Sequence, residues 1–369
     1  MSVQLSDVIG KVMTVQGPVD PDQLGVALMH EHLFIDVHRH KAPDENAPAS
    51  EWVLWEQKLT LENLHHARER RQIRDNWILG DVQTAVEEAM EFRHWGGGTI
   101  VDVSNIGLRR DPMALLKVSH STGLNVVMGA GWYQSFYHPT DMNERSVEDL
   151  AEEIIRDITI GVGHTGIRSG IIGEVGIEGN PLTPNEIKSI QASAMASRIT
   201  GAAISFHGGG HEREKLEVIN ILVEKGADLS RVVFGHSDVI AGNMDLMLEL
   251  LEQGVYIQFD YLGRVGAGLV LQAPKNARPN MYSINDYAFT AQIGLTIPKL
   301  IASGYVDRIL ISHDLCTKEQ LKRYGGTGYS FILEKFIPHL RETGVEEEHL
   351  RKLMVENPKR VLTLANRKT

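Results

Sequence analysis

Two histidines two residues apart, His30 and His32, stand at the end of the apolar run Val26-Ala27-Leu28-Met29-His30. In a β-strand, residues i and i+2 project from the same face. The pair therefore points side by side and can grip one cation, since imidazole is the commonest transition-metal ligand near neutral pH. A bare His-x-His is weak evidence by itself, because two solvated histidines share that spacing. Four more donors raise it. Glu174, His207, His236 and Asp314 each stand at the end of their own short apolar run. Any one of them reads equally well as a packed histidine, a turn carboxylate or a helix cap. All of them being inert, each at an expected strand end, is the less economical reading. Four histidines and two carboxylates are too many for one closed tetrahedral zinc site. They suit two divalent cations, zinc first and manganese or cobalt next, sharing a bridging carboxylate and a bridging water. Against two dications, Glu174, Asp314 and a hydroxide leave a small positive excess, which attracts a carbonyl or phosphoryl oxygen. Cations of this kind lower the pKa of bound water to about 7. Asp314 is placed to take up and return the proton.

The elements that must hold these groups alternate. From residue 80 onward, helix-like runs at 81–95, 111–121, 146–159, 184–199, 211–225, 242–253 and 284–303 separate short apolar stretches. Those stretches lie at 99–103, 124–128, 169–174, 202–207, 231–236, 255–260 and 308–314, and 26–32 makes an eighth. Strands alternating with helices predict parallel pairing, and eight such units predict a (β/α)8 TIM barrel, with an open doubly wound sheet as the alternative. In such barrels the site lies at the carboxyl ends of the strands. Residues 36–78 lack a clean period and read as an insertion after the first strand, either a lid over the mouth or a plain surface excursion. The whole chain, 1–369, is expected to form one barrel domain.

Composition bounds the rest. The net charge of -11 argues against nucleic acid as a partner. One cysteine, Cys316, excludes an internal disulfide and fits a reducing compartment. No signal peptide is read at the start, and no stretch reaches the ~20 apolar residues of a membrane span. A cytoplasmic location, no membrane partner and a homodimer by base rate are the expectations.

The motifs and the order of the donors together resemble the amidohydrolase superfamily, and within it the phosphotriesterase-related group. The likeness runs from Val15 to Leu364 through Gln16-Gly17-Pro18-Val19, His30-Glu31-His32 and Gly173-Glu174-Val175-Gly176. It continues through Gly235-His236-Ser237-Asp238, His313-Asp314, Tyr324-Gly325-Gly326-Thr327-Gly328-Tyr329 and Glu356-Asn357-Pro358. The resemblance implies that His30, His32, Glu174 and Asp314 hold the more buried metal, and Glu174, His207 and His236 the more exposed one. It departs from the true phosphotriesterases and lactonases at the bridge, where they carry a carboxylated lysine and this chain has Glu174. That departure weighs against organophosphates as native substrates. The expected activity is hydroxide attack on the carbonyl of a small ester, lactone or N-acyl amide. A phosphotriester hydrolase and a non-catalytic ligand-binding barrel are the alternatives. Candidate substrate contacts lie in the loops after the strands: Trp132 and Tyr133, Asp238, Tyr261 and Arg264, and Lys318, Lys322, Arg323 and Tyr324. Arg264 is the preferred anchor for an anionic group. Gly208-Gly209-Gly210 reads as a turn or a close backbone approach. The other histidines, including His38, His40, His138 and His211, read as surface or structural.

Overall fold

A computed structural model describes residues 8–69, 71–208, 213–264 and 286–366. Eight parallel strands form one sheet in chain order: β1 (Val26–Glu31), β2 (Gly97–Asp102), β3 (Asn125–Ala130), β4 (Ile171–Gly176), β5 (Ile204–His207), β6 (Val232–Phe234), β7 (Tyr256–Phe259) and β8 (Ile309–Ile311). Helices connect them, among them Val82–His94, Pro112–Thr122, Val147–Thr159, Pro184–Thr200, Glu214–Glu224, Met244–Glu252 and Asp286–Ala302. The ladder runs from β1 to β8. Its seam closes through side chains and loops: His30 N donates to Ser312 Oγ (2.9 Å), and Asp314 N to His30 O (3.1 Å). Glu31 reinforces the seam by accepting from Ser312 Oγ, His313 N, His313 Nδ1 and Leu315 N at 2.7–3.0 Å. The expected TIM barrel is the observed fold.

One apolar cluster draws on every strand or the residue before it: Ala27 and Met29, Val101, Val127, Ile171, Ala203, Val233, Tyr256 and Leu310. It is the barrel interior. Strict alternation from Met29 would turn His30 outward, and from Ile171 it would turn Glu174 outward. The register shifts between Leu28 and Glu31 in β1 and between Ile172 and Val175 in β4. Such irregularities re-aim a side chain locally, and here they bring both donors into the mouth. The β4 shift needs glycine on two strands. A Cβ on Gly129 would stand 2.1 Å from Gly173 O, and Gly173 itself has φ +149° with Ser205 O 2.6 Å from its own Cβ position.

Residues 37–77 leave and return through a two-residue antiparallel pair, Ile35–Asp36 against Ile78–Leu79. The excursion holds two short helices, Ala49–Trp55 and Leu64–Arg68. A small apolar cluster of Leu54, Leu59, Leu64, Ala67 and Ile73 fixes it. It is tied to the loop after β8 by Lys318–Asp75 (2.8 Å) and Glu319 N donating to Asn76 Oδ1 (2.9 Å), and to the loop after β3 by Tyr137 donating to Val37 O (2.9 Å).

At the opposite end, buried Arg231 donates to the carbonyls of Gly201, Arg360, Val361 and Thr363 at 2.7–3.0 Å, stapling the C-terminal segment under the barrel. Arg231→Met removes those donors and leaves buried carbonyls unmet. It is expected to lower the unfolding free energy by about 3 kcal/mol, read as a lower denaturant midpoint, with the folded variant's catalytic rate unchanged.

Candidate metal centre

All six donors named from the sequence converge at the carboxyl end of the barrel. His30 and Glu174 lie within β1 and β4, His207 ends β5, and His32 follows β1 by one residue. His236 and Asp314 were expected on their strands. Both instead lie beyond the last paired residue, in left-handed backbone (φ +52° and +49°). For a residue with a Cβ that conformation costs ~1–2 kcal/mol.

The donor atoms form two groups that share Glu174. In the first, His30 Nε2 is 3.3 Å from Glu174 Oε2 and 3.7 Å from Asp314 Oδ1, and His32 Nε2 is 3.3 Å from Glu174 Oε1 and 3.2 Å from Asp314 Oδ1. In the second, His207 Nδ1 is 2.8 Å from Glu174 Oε2 and 2.9 Å from His236 Nε2, with His236 Nε2 3.9 Å from Glu174 Oε2. Ligand bonds of about 2.0–2.1 Å in tetrahedral array put donor atoms ~3.3 Å apart. The separations bracket that value, and several of the donors group closely enough to hold an ion. Neither ring nitrogen of wholly buried His30 makes an aligned hydrogen bond. Buried polar atoms ordinarily find a partner, so the residues fit a bound cation. The first group is buried throughout, whereas His207 in the second is partly exposed.

A second layer orients the rings. Asp260 touches one histidine of each group: His236 Nδ1 lies 2.7 Å from Oδ1, and His30 Nδ1 3.2 Å from Oδ2. Gln258 Nε2 and His236 N also donate to Asp260 (2.8 and 3.0 Å). Ser104 donates to Phe34 O (2.8 Å), so its oxygen is left to accept from His32 Nδ1 (2.9 Å). Ser104 and Asp260 place a proton on Nδ1 of His32 and His236, and Asp260 lies beside Nδ1 of His30, so all three rings present Nε2 to the cluster. Asp260→Ala is therefore expected to weaken cation binding about 10–100-fold, measured by chelator competition.

Burial pushes the His32 pKa down, but Asp314 and Glu174 outweigh it and raise it to about 9. His30 is raised as well, by Asp260 and Glu174 against burial. Burial likewise opposes ionisation of Glu174, yet His207 and His30 hold it well below the usual carboxylate range. A cation must displace the imidazole protons. Its affinity should therefore increase with pH through the range around 9 in which His32 gives up its proton; a flat profile would contradict ligation by these rings.

The candidate substrate contacts divide. Tyr133 OH is 3.4 Å from His207 Nε2, and the Tyr261 ring centroid is 4.7 Å from that of His236. Arg264 stacks on Tyr261, 3.7 Å from its centroid, and pairs with Asp314 Oδ2. Asp238 is corrected: it is buried, and its oxygens accept from Asp260 N (2.8 Å) and Tyr261 N (3.2 Å), which fixes the loop after β7 instead of reaching substrate. Burial, and Asp260 after it, raise its pKa to about 8. Trp132 is buried in the core. Tyr324 is corrected too. It packs on the apolar cluster of the 37–77 excursion, and Arg68 donates to its carbonyl. Lys318, Lys322 and Arg323 pair with Asp75, with Glu91 and Glu334, and with Glu87. A Cβ on Gly208 would meet Gly235 O at 2.7 Å, so that close approach is strand to strand. Gly209, Gly210 and His211 lie outside the described residues. Sequence reading missed Asp260, although it closes the seventh expected strand, the same positional signal the ligands carry. It also missed Ser104 and Gln134, for which composition and spacing offer no signal.

The Phosphotriesterase family model matches residues 10–362. The chain belongs to this family. Within the phosphotriesterase family it is a metal-dependent hydrolase, as the sequence resemblance implied. N-acetyltaurine hydrolase of Dictyostelium discoideum is 34% identical over 388 residues, covering 98% of this chain and 100% of its own. The enzyme of that name from Danio rerio is 36% identical over 361 residues, covering 97% and 99%. The crystal structure of a resiniferatoxin-binding protein from Rhodobacter sphaeroides superposes with a TM-score of 0.88 at 32% identity, covering 98% of this chain and 97% of that one.

Proposed function

We propose that this chain hydrolyses small N-acyl amides whose amine half ends in an acid group, with N-acetyltaurine as the leading candidate. Its support is the convergence of six donors, five of them grouped closely enough to hold an ion and His207 beside Glu174, in a chain aligned over nearly its full length with proteins named for that substrate. His30, His32, Glu174 and Asp314 would hold one divalent cation, and Glu174, His207 and His236 a second, with zinc as the first choice and manganese or cobalt as alternatives. When bound, such cations supply hydroxide at neutral pH and polarise the scissile carbonyl. Asp314 takes the proton of the attacking water and returns it to the departing amine. Tyr133 and Tyr261 flank the reacting carbonyl. Arg264, already at the edge of the cluster, meets the sulfonate or carboxylate of the amine half. The same reading takes residues 1–369 as one barrel domain, 36–78 as a lid or insertion at its mouth, a homodimer and a cytoplasmic setting.

A second reading has specific support. The Rhodobacter relative is named for binding, and a barrel that binds a ligand without turnover would keep the fold. Hydrolysis of a phosphotriester is the third. One experiment separates them. Metal-loaded and chelator-treated protein meet N-acetyltaurine, other N-acyl amines and amino acids, lactones, simple esters and one phosphotriester, with products read by mass spectrometry. Metal-dependent release of taurine and acetate is the expected result. Turnover of the phosphotriester alone, or binding without products, would overturn the amide reading.

A further inference from the structure

Three of the ligand histidines are alike, and the fourth is not. His30, His32 and His236 turn Nε2 toward the cluster and back their Nδ1 onto an oxygen of Asp260 or Ser104. His207 faces the other way. Its Nδ1 lies 2.8 Å from Glu174 Oε2 and 2.9 Å from His236 Nε2. Its Nε2 points out of the cluster, 2.9 Å from the Gln134 side-chain amide and 3.4 Å from Tyr133 OH. An imidazole that ligates through Nδ1 must carry its proton on Nε2, and that N–H needs an acceptor.

We propose that Gln134 is the positioning residue for His207, a carboxamide that serves the ring in both of its tautomers. The inference rests on the two-cation reading above. With Nδ1–H turned to Glu174, His207 Nε2 carries a lone pair, and the Gln134 NH2 donates to it. With Nδ1 engaged by a cation, the proton sits on Nε2, and a half-turn of the amide puts the Gln134 oxygen in the same place. A carboxylate cannot serve both ring forms, because it has no donor. The cage around the amide is fixed. Gln134 is buried, its backbone carbonyl accepts from Tyr137 N (2.8 Å), and its backbone N is 2.4 Å from where a Cβ on Gly176 of β4 would stand. The strand that carries Glu174 thus sets the position of Gln134. Because Gln134 touches His207 and none of the first group's donors, it governs the second cation selectively.

The test is stepwise titration of chelator-stripped protein with Zn2+ against a chromophoric competitor, for the wild type, Gln134→Met and Gln134→Glu. The wild type is expected to hold two equivalents. Gln134→Met should weaken the second about 10–100-fold and leave the first unchanged. Gln134→Glu retains an acceptor and should keep both. Long-range 1H–15N spectra of the zinc-loaded wild type should show His207 protonated on Nε2 and the other three rings on Nδ1. This holds even where the methionine variant fails to fold. Two wild-type affinities in Gln134→Met, equal weakening of both, or Nδ1–H on loaded His207 would each overturn the role of Gln134. A wild type that holds no cation would instead remove the metal reading beneath it.

Discussion

Glu174→Gln is expected to empty both halves of the centre and to lower turnover by at least about a thousandfold. The reason is geometric. Among the described residues, Glu174 is the one carboxylate within 3.9 Å of a nitrogen of all four ligand histidines. Both of its oxygens are used, Oε1 toward His32 and Oε2 toward His30, His207 and His236. Glutamine keeps the shape but replaces one acceptor with an NH2, which cannot ligate, and removes the negative charge from the point that the two donor groups share. Metal analysis after dialysis, together with a turnover assay, reads both effects. Two retained equivalents in the variant would mean that the bridge lies elsewhere.

Asp314→Asn should behave differently. His32 and His30 still meet the amide oxygen, so cations should stay bound, while kcat falls about 10^2–10^4-fold through loss of proton transfer and KM changes little. Arg264 matters here. Burial opposes the ionisation of Asp314, but Arg264 on Oδ2, followed by His32, keeps it below the usual carboxylate range. In the resting arrangement Asp314 is therefore a weak base. If Arg264 takes the acid group of the substrate, the hold on Asp314 relaxes as the substrate enters. Arg264→Met should then raise KM more for N-acetyltaurine than for a neutral N-acetyl amine. Full kcat in Asp314→Asn with both cations bound would remove Asp314 from proton transfer.

The sequence made the ligands visible because the barrel forces them into one pattern. Each must sit at or just past the carboxyl end of a strand, and strand ends are marked by apolar runs giving way to turns. Asp260 obeyed the same rule and could have been found by it. The register shifts in β1 and β4 could not, since a bulge leaves no mark in an apolar run, although without them His30 and Glu174 would face the helices. Nor could the left-handed backbone at His236 and Asp314, which glycine normally marks. Asp238 and Tyr324 misled for a common reason. Both stand near site residues in the chain, but one is drawn into backbone hydrogen bonds of the next loop and the other into the cluster of the 37–77 excursion. The excursion itself lacked period because its two helices are short and the apolar cluster that fixes it also draws on residues outside them, Leu59 and Ile73.

The most direct test of the central claim is a titration of stripped protein with Zn2+ while the release of taurine from N-acetyltaurine is followed. The expected result is no release without metal and a rise that saturates at two equivalents. Full release in the presence of excess chelator, or none from any N-acyl amide with two equivalents bound, would contradict it.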